Sequence, residues 1–266
     1  MSKSIITGAI TDIAQAFRRY TLIGTLGWQD VRQRYRRSAV GPFWLTISMG
    51  VMIATIGIVF GTIFKSPVEE FLPFLSAGLI FWGFISSVIT EGCTSFTSSE
   101  AIIKQLPIPL PVHIFRQIWR NMIILAHNIV ILPLVFIAVQ KSVNWNAFLA
   151  IPGFFILLIN LTWMALLLGI VCTRYRDIPQ IITSVIQVVF YLTPIMWLPG
   201  LLPNRTSVFI LNLNPFYHLL EIVRAPLLGE IPALIHWLSS LGIAAVGWAL
   251  TLALYGRYRR RLAYWL

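Results

Sequence analysis

Apolar residues in this chain gather into long unbroken runs, not into the alternating pattern of a half-buried strand or the striped pattern of a surface helix. A hydrocarbon core of about 30 Å needs roughly 20 apolar residues in helix. Six runs are long enough: 41–64, 71–93, 120–139, 147–173, 178–197 and 234–256. The pattern predicts an all-α integral membrane protein with six transmembrane helices. Pro42 and Pro179 stand where a first helical turn tolerates a missing N–H, and Pro194 and Pro199 end the fifth run.

Composition supports lipid as the surrounding medium, with 58% hydrophobic and 11% charged residues and a mean hydropathy of +0.81. A net charge of +11 would suit nucleic acid or an anionic membrane surface. The cations sit beside the apolar runs, which points to membrane lipids and away from nucleic acid. Lys and Arg concentrate on cytoplasmic loops. With both termini on that side, sixteen of the twenty fall inside, and only Lys65, Lys141, Arg205 and Arg224 fall outside. The first 20 residues have no continuous apolar core and no small-residue cleavage site, so a cleavable signal peptide is not expected. Cys93 and Cys172 lie near predicted inner span ends at a spacing that matches no metal motif, and read as packing residues.

Outside the spans the chain divides into a cytoplasmic N-terminal segment (1–39), the membrane domain (40–256) and a basic tail (257–266). In the first, Ile10, Ile13, Ala14 and Phe17 have helical spacing, followed by Trp28, Val31 and Tyr35 beside Arg32, Arg34, Arg36 and Arg37. Aromatic rings in the headgroup layer and guanidinium groups toward phosphate suit an amphipathic interface helix lying flat on the inner leaflet. Between spans two and three, Thr97-Ser98-Ser99-Glu100 has capping-box spacing before a short helix that stops at the proline-rich stretch 107–111. A short turn, Arg174-Tyr175-Arg176-Asp177, joins spans four and five. On the outer side 65–70 and 140–146 are tight connections, whereas 198–233 is long, apolar and proline-rich, with Phe209, Phe216 and Tyr217. Backbone at membrane depth must be helical or buried in protein, so short helices dipping into the outer leaflet are expected there.

The chain has no Gly-rich phosphate loop, no H-E-x-x-H and no C-x-x-C. No ATP hydrolysis by the chain itself, no resident metal or cofactor and no catalytic residue is expected. Its nine acids are scattered over loops and ends, with only Glu69 and Glu70 adjacent, on an outer turn. Glu91, near the inner end of span two, is placed to pair with an inner arginine. His127 and Asn128 in span three read as interhelical hydrogen-bond partners. Ala245, Ala249 and Ala253 form a small-residue stripe that allows another helix close approach.

Specific strings add to this reading. The run from Trp28 through Gln29, Asp30 and Arg36 to Gly41-Pro42-Phe43-Trp44 closely resembles the start of the first span in ABC-2-type permeases that export polysaccharides. Arg176-Asp177-Ile178-Pro179-Gln180, Tyr191-Leu192-Thr193-Pro194-Ile195 and Asn214-Pro215-Phe216 followed by Glu221-Ile222-Val223-Arg224 resemble the fifth span and outer loop of the O-antigen, capsule and teichoic-acid exporters. The ordered set covers about 28–256; Val40 stands where the family commonly has Leu. The resemblance implies a permease subunit of the bacterial inner membrane that works as a homodimer with two copies of a separate cytoplasmic ABC ATPase, which binds the ATP. It also implies coupling segments that meet this ATPase, carried here onto Trp28, Arg32 and Arg36, onto Ser98, Glu100 and Lys104, and onto Arg174, Arg176 and Asp177. Short outer gate helices between spans five and six, over 201–228, belong to the same expectation.

The expected substrate is a lipid-linked polysaccharide, O antigen first among the options. Each unpaired hydroxyl would cost roughly several kcal/mol in hydrocarbon, so a protein-lined path is required. Six helices are too few for a pore within one subunit, which places the path between two copies. Sugars lay C–H faces on aromatic rings, and Trp82, Phe84, Phe190, Tyr191 and Trp197 are the candidates for the lining. ATP binding in the partner would move the coupling segments and open the space between spans one and five. The rivals are an ABC-2 exporter of teichoic acid, capsule, drug or small lipid, and a membrane enzyme of lipid-linked glycan synthesis.

Overall fold

The computed structural model describes residues 2–34, 36, 41, 43–64, 67–201 and 211–266. Twelve α-helices lie in these residues: α1 Ser2–Arg18, α2 Tyr20–Arg34, α3 Phe43–Phe64, α4 Val68–Thr94, α5 Glu100–Gln105, α6 Pro111–Ile129, α7 Ile131–Ala138, α8 Ala150–Arg174, α9 Ile178–Leu192, α10 Pro215–Leu227, α11 Leu234–Tyr258 and α12 Leu262–Trp265. Single 3-10 turns occupy Thr97–Ser99, Trp145–Leu149 and Pro199–Leu201. Tyr35, Arg37, Pro42, Lys65, Arg205 and Phe209, and with them the turn into predicted span one and part of the predicted gate segment, lie outside the described residues.

Five helical stretches are long and apolar enough to cross a membrane: Phe43–Ile63, Val68–Thr94, Pro111–Ala138, Trp145–Arg174 and Leu234–Tyr258. They correspond to five of the six predicted runs and make this a multi-pass membrane protein. The remaining run forms α9, which is 15 residues long. At 1.5 Å per residue that helix is about 22 Å, short of the ~30 Å hydrocarbon core. Pro179 stands in its first turn, as predicted, and it stops at Leu192, just before Pro194.

The bundle is built around α4. In the most apolar 18-residue window of α4 78% of the residues are buried, against 11% in that of α3, so α4 is the central helix and α3 the peripheral one. Helix α8 packs along α4 on one side and α11 on the other, while α6 and α3 cover the remaining faces of α4. Close approach of α4 and α8 depends on small residues: a Cβ on Gly92 would sit 2.9 Å from the Ala165 Cα. Cys93 and Cys172 are buried free thiols near this contact, Cys93 donating to the Ile89 carbonyl of its own helix at 3.3 Å, in keeping with packing roles.

The predicted flat interface helix is two helices broken at Arg19. Small residues, Ala9, Ala16 and Gly27, together with Ile23 and Val31, form the face turned toward the bundle, while Ile10, Phe17 and Trp28 are exposed. Ala16, Ile23, Val112 and Phe115 make a small second core joining this pair to α6.

Three details differ from the sequence reading. The capping box does not form: the Thr97 hydroxyl donates to the Thr94 carbonyl at 3.0 Å, and α5 starts at Glu100 with no side-chain cap. Fully buried Phe96 continues the helical backbone out of α4, so the Glu100 amide is taken by the Thr97 carbonyl and none is left for the Thr97 hydroxyl. The small-residue stripe of the last span also faces the other way. Ser240, Ala244, Gly247, Thr251 and Tyr255 are the buried positions of α11, and Ala245, Ala249 and Ala253 are exposed. Finally, His127 bonds the Ile123 carbonyl of its own helix at 2.7 Å, and the buried Asn128 Oδ1 has no partner, so neither makes the expected interhelical bond.

The basic tail is anchored. Arg259 donates to Asp12 at 2.7 Å and to the Gly8 carbonyl at 2.9 Å, and Leu262 is fully buried. Tyr258 and Trp265 rings lie 5.4 Å apart.

Candidate functional site

Helix α6 carries a polar stripe, His113, Arg116, Gln117, Arg120 and Asn121, at helical spacing on a helix otherwise apolar up to His127 and Asn128. This stripe meets α2 and α4 at the end of the bundle that the cation count assigns to the inside. Arg116 grips Asp30 of α2 bidentately through one guanidinium edge, Nε to Oδ2 at 2.7 Å and Nη2 to Oδ1. Arg120 bridges two carboxylates, Glu91 of α4 at 2.6 Å and Asp30 at 3.5 Å. Asn121 donates to Glu91 at 2.6 Å, Gln117 to the Val88 carbonyl at 2.9 Å, and Arg34 stands 3.8 Å from the other Glu91 oxygen. Three guanidinium groups thus face two carboxylates. A planar fork that bonds both oxygens fixes orientation as well as charge, which a lysine at the same place could not do.

The network lines a cavity of about 320 Å³ whose other wall is Ser98, Ser99 and Ile102, at the start of the predicted coupling segment. Lys104 donates to Glu100 at 2.6 Å, and this bond together with the ammonium charge holds the Glu100 carboxyl below its usual range. Arg176 adds to the same lowering, so the 174–177 turn lies within electrostatic reach of α5. Arg174 stacks over the Trp265 ring at 5.0 Å, and Arg176 donates to the Trp265 carbonyl at 3.4 Å, which ties that turn to the C-terminal helix. Trp28, Arg32, Arg36, Ser98, Lys104, Arg174, Arg176 and Asp177 are exposed. Arg32 and Arg36 with Gln29 and Gln33 border a separate groove of about 400 Å³.

The aromatic candidates divide. Trp82 and Phe84 are buried in the chain's own core, 6% and 4% exposed. Trp82 packs against Phe190 and Phe216 with centroids 5.9 Å away in each case, and Phe190 against Tyr191 at 5.3 Å. Phe84 instead faces Phe154 at 5.8 Å. Tyr191 is open to the surroundings, and Trp197 donates to its carbonyl at 3.1 Å.

At the opposite end a second polar cluster centres on Arg224, which is fully buried. It donates to the Pro194 carbonyl and to Glu221, both at 2.5 Å, and lies 4.0 Å over the Phe74 ring. Asn214 accepts from the Phe216 and Tyr217 amides, capping α10, and donates to Thr193 Oγ1 at 2.8 Å. The outer strings singled out in the sequence therefore interlock in space. Burial and the nearby Glu221 push the Tyr217 phenol up to about 12.

The Asp30 bridge escaped the sequence reading because Asp30 and Arg116 are 86 positions apart. Its signal was present in the polar stripe of α6, which needs a charged partner. Asp30 and Glu91 share Arg120, while Asp12, Glu100 and Glu221 each hold a cation at separate places. Among the described residues no group of three or more His, Cys, Asp or Glu is placed to hold a metal ion.

Comparison with known proteins places these features in a lineage. A family model described as ABC-2 type transporter matches residues 21–228, well over half of the chain. Two curated relatives are each called O-antigen export system permease protein RfbA, both from Klebsiella pneumoniae. One is 24% identical over 200 residues and the other 22% over 202, each alignment covering 74% of this chain and 76% of the relative.

Proposed function

We propose that this chain, which belongs to the ABC-2 type transporter family, is the permease subunit of an ATP-driven exporter that carries lipid-linked polysaccharide, O antigen in the first instance, across a bacterial inner membrane. The observation that carries the proposal is the family match together with two relatives that bear that export function in their names. In this reading ATP is bound and hydrolysed by a separate ATPase subunit, two copies of which dock on a dimer of this chain. The docking surface comprises the outer face of α2, the α5 segment and the 174–177 turn.

The ion-pair network supports such a role physically. A push on α2 is passed directly to α4 and α6, because Asp30, Arg116, Arg120 and Glu91 tie the three helices together. In the same reading α9 is the remaining span, giving six with both termini inside. Its shortness is offset because the backbone that follows it is buried: Thr193, Pro194 and Ile195 are enclosed, and Arg224 satisfies the Pro194 carbonyl that a broken helix would leave bare. Helix α10 then serves as a gate helix on the outer side, and the glycan passes between two copies with Tyr191 and Trp197 at the path.

The test is deletion of the gene followed by location of the glycan. Polymer accumulating inside the cell supports export. Absence of polymer would instead make the chain part of glycan synthesis, and normal surface polymer would end the proposal.

A further inference from the structure

A cleft of about 490 Å³ opens between α3, α4 and α6, within the ~300–1,000 Å³ typical of ligand sites. It shares Glu91 with the Ser98 cavity, and its lining changes character with depth. At the inner end stand Arg34 and Glu91; further along come Ser48, Ser87 and Asn128. Asn128 lies seven residues beyond Asn121 on α6, about 10 Å deeper along the helix axis.

Polar side chains at membrane depth can satisfy themselves on their own helix. Ser86 and Thr90 on α4 donate to carbonyls of their own helix at 3.2 and 2.8 Å. Asn128 does not: it is 8% exposed, lines the cleft, and its Oδ1 has no partner. Retaining a buried acceptor without a donor costs stability, and of the unpartnered buried atoms among the described residues Asn128 Oδ1 is the one whose residue borders this cleft, where a ligand can reach it. Glu91 is already engaged by Arg120 and Asn121, which leaves Arg34, half exposed and 3.8 Å away, only loosely held. A half-free guanidinium at the mouth and an orphan acceptor inside define the ligand: a phosphate joined to a donor of hydroxyl hydrogens. Met49 and Phe84 supply apolar surface for its C–H faces. The cleft is flanked by α3, the peripheral helix, so its occupant can arrive sideways from lipid.

We propose that this cleft seats the carrier-proximal sugar and phosphate of the lipid-linked glycan, with phosphate at Arg34 and a sugar hydroxyl donating to Asn128 Oδ1. The assignment rests on the exporter reading above and adds a loading site to it.

The experiment uses the purified full chain in lipid nanodiscs and two probes, a short-chain prenyl diphosphate carrying one N-acetylglucosamine and the same prenyl diphosphate without sugar. The wild type should bind the sugar-bearing probe at least ~10-fold more tightly, the difference one charge-free but well-placed hydrogen bond set provides. Asn128→Leu, close in volume and free of the orphan acceptor, should lose that preference while keeping its affinity for the bare probe, with thermal stability equal to or above wild type. Ser87→Ala, which disturbs packing less, should reduce the preference several-fold and serves in place of Asn128→Leu if that variant does not insert. Retention of the full preference by the variant would overturn the proposal. So would the absence of probe binding to wild type, or displacement of the probe by equimolar phosphatidylglycerol, which would make the cleft a seat for bulk phospholipid. In cells, Asn128→Leu should slow export. Normal export in that variant beside intracellular accumulation in the deletion strain would sink the loading site and leave the exporter reading standing.

Discussion

Asp30 shows how a single residue can join elements that sequence keeps far apart. It accepts from two N–H groups of Arg116 and lies 3.5 Å from Arg120, with its own side chain only 12% exposed. Removing one member of a fully buried pair costs ~3–5 kcal/mol, and the partial exposure of these arginines brings the expectation down to about 1–3 kcal/mol for Asp30→Asn. Unfolding in mixed detergent micelles should show that loss as a lowered midpoint. The paired exchange Asp30→Arg with Arg116→Asp should recover part of it, because opposite charges still face each other. Glu100→Gln should leave the midpoint unchanged, since the Glu100–Lys104 pair is exposed to solvent. Sequence spacing placed Glu91 beside an inner arginine, and that pairing is present. It could not show that Arg120 serves Asp30 as well, because the second contact exists only once α2 has folded against α6.

At the scale of elements, runs of apolar residues translated directly into helices, and proline positions into their limits. Contacts between helices were less legible. Gly153 carries no pattern that marks it in the sequence, yet a Cβ there would lie 2.1 Å from the Ile222 carbonyl oxygen of α10. Gly153→Ala must therefore push α8 and α10 apart, and overpacking of this kind costs about 1–3 kcal/mol. The same micelle unfolding assay checks it. Gly50→Ala on α3 is the control: a Cβ at Gly50 would meet nothing within 4 Å, and stability should hold or rise slightly. The capping box and the alanine stripe misled for one reason. Each is a local motif, and neighbours decide whether a local motif is used. Phe96, fully buried, carries the backbone past Thr97, and α8 covers the opposite face of α11.

For the whole molecule, the unequal distribution of Lys and Arg predicts both termini on the inner side. A phosphatase fused after Leu266 should be inactive, and the same enzyme inserted in 140–146 should be active in the periplasm; the reverse result would invert the assignment. That prediction includes α9 as a full crossing, since five crossings would place the termini on opposite sides. The buried Arg224 bears directly on this. Arg224→Leu would leave the Pro194 carbonyl and Glu221 without their donor just beyond the 15-residue α9, and should lower the micelle unfolding midpoint.

Membrane class, the approximate limits of the helices and the family resemblance were available from sequence alone, because each depends on local hydrophobicity or on contiguous strings. Tertiary structure decided which helix is central, which face of each is buried and which charges meet. It also decided that the tail is docked and that Asn128 faces a cleft without a partner for its Oδ1. Those outcomes depend on contacts between residues tens to hundreds of positions apart, and no periodicity along one segment encodes the partner that another segment will supply.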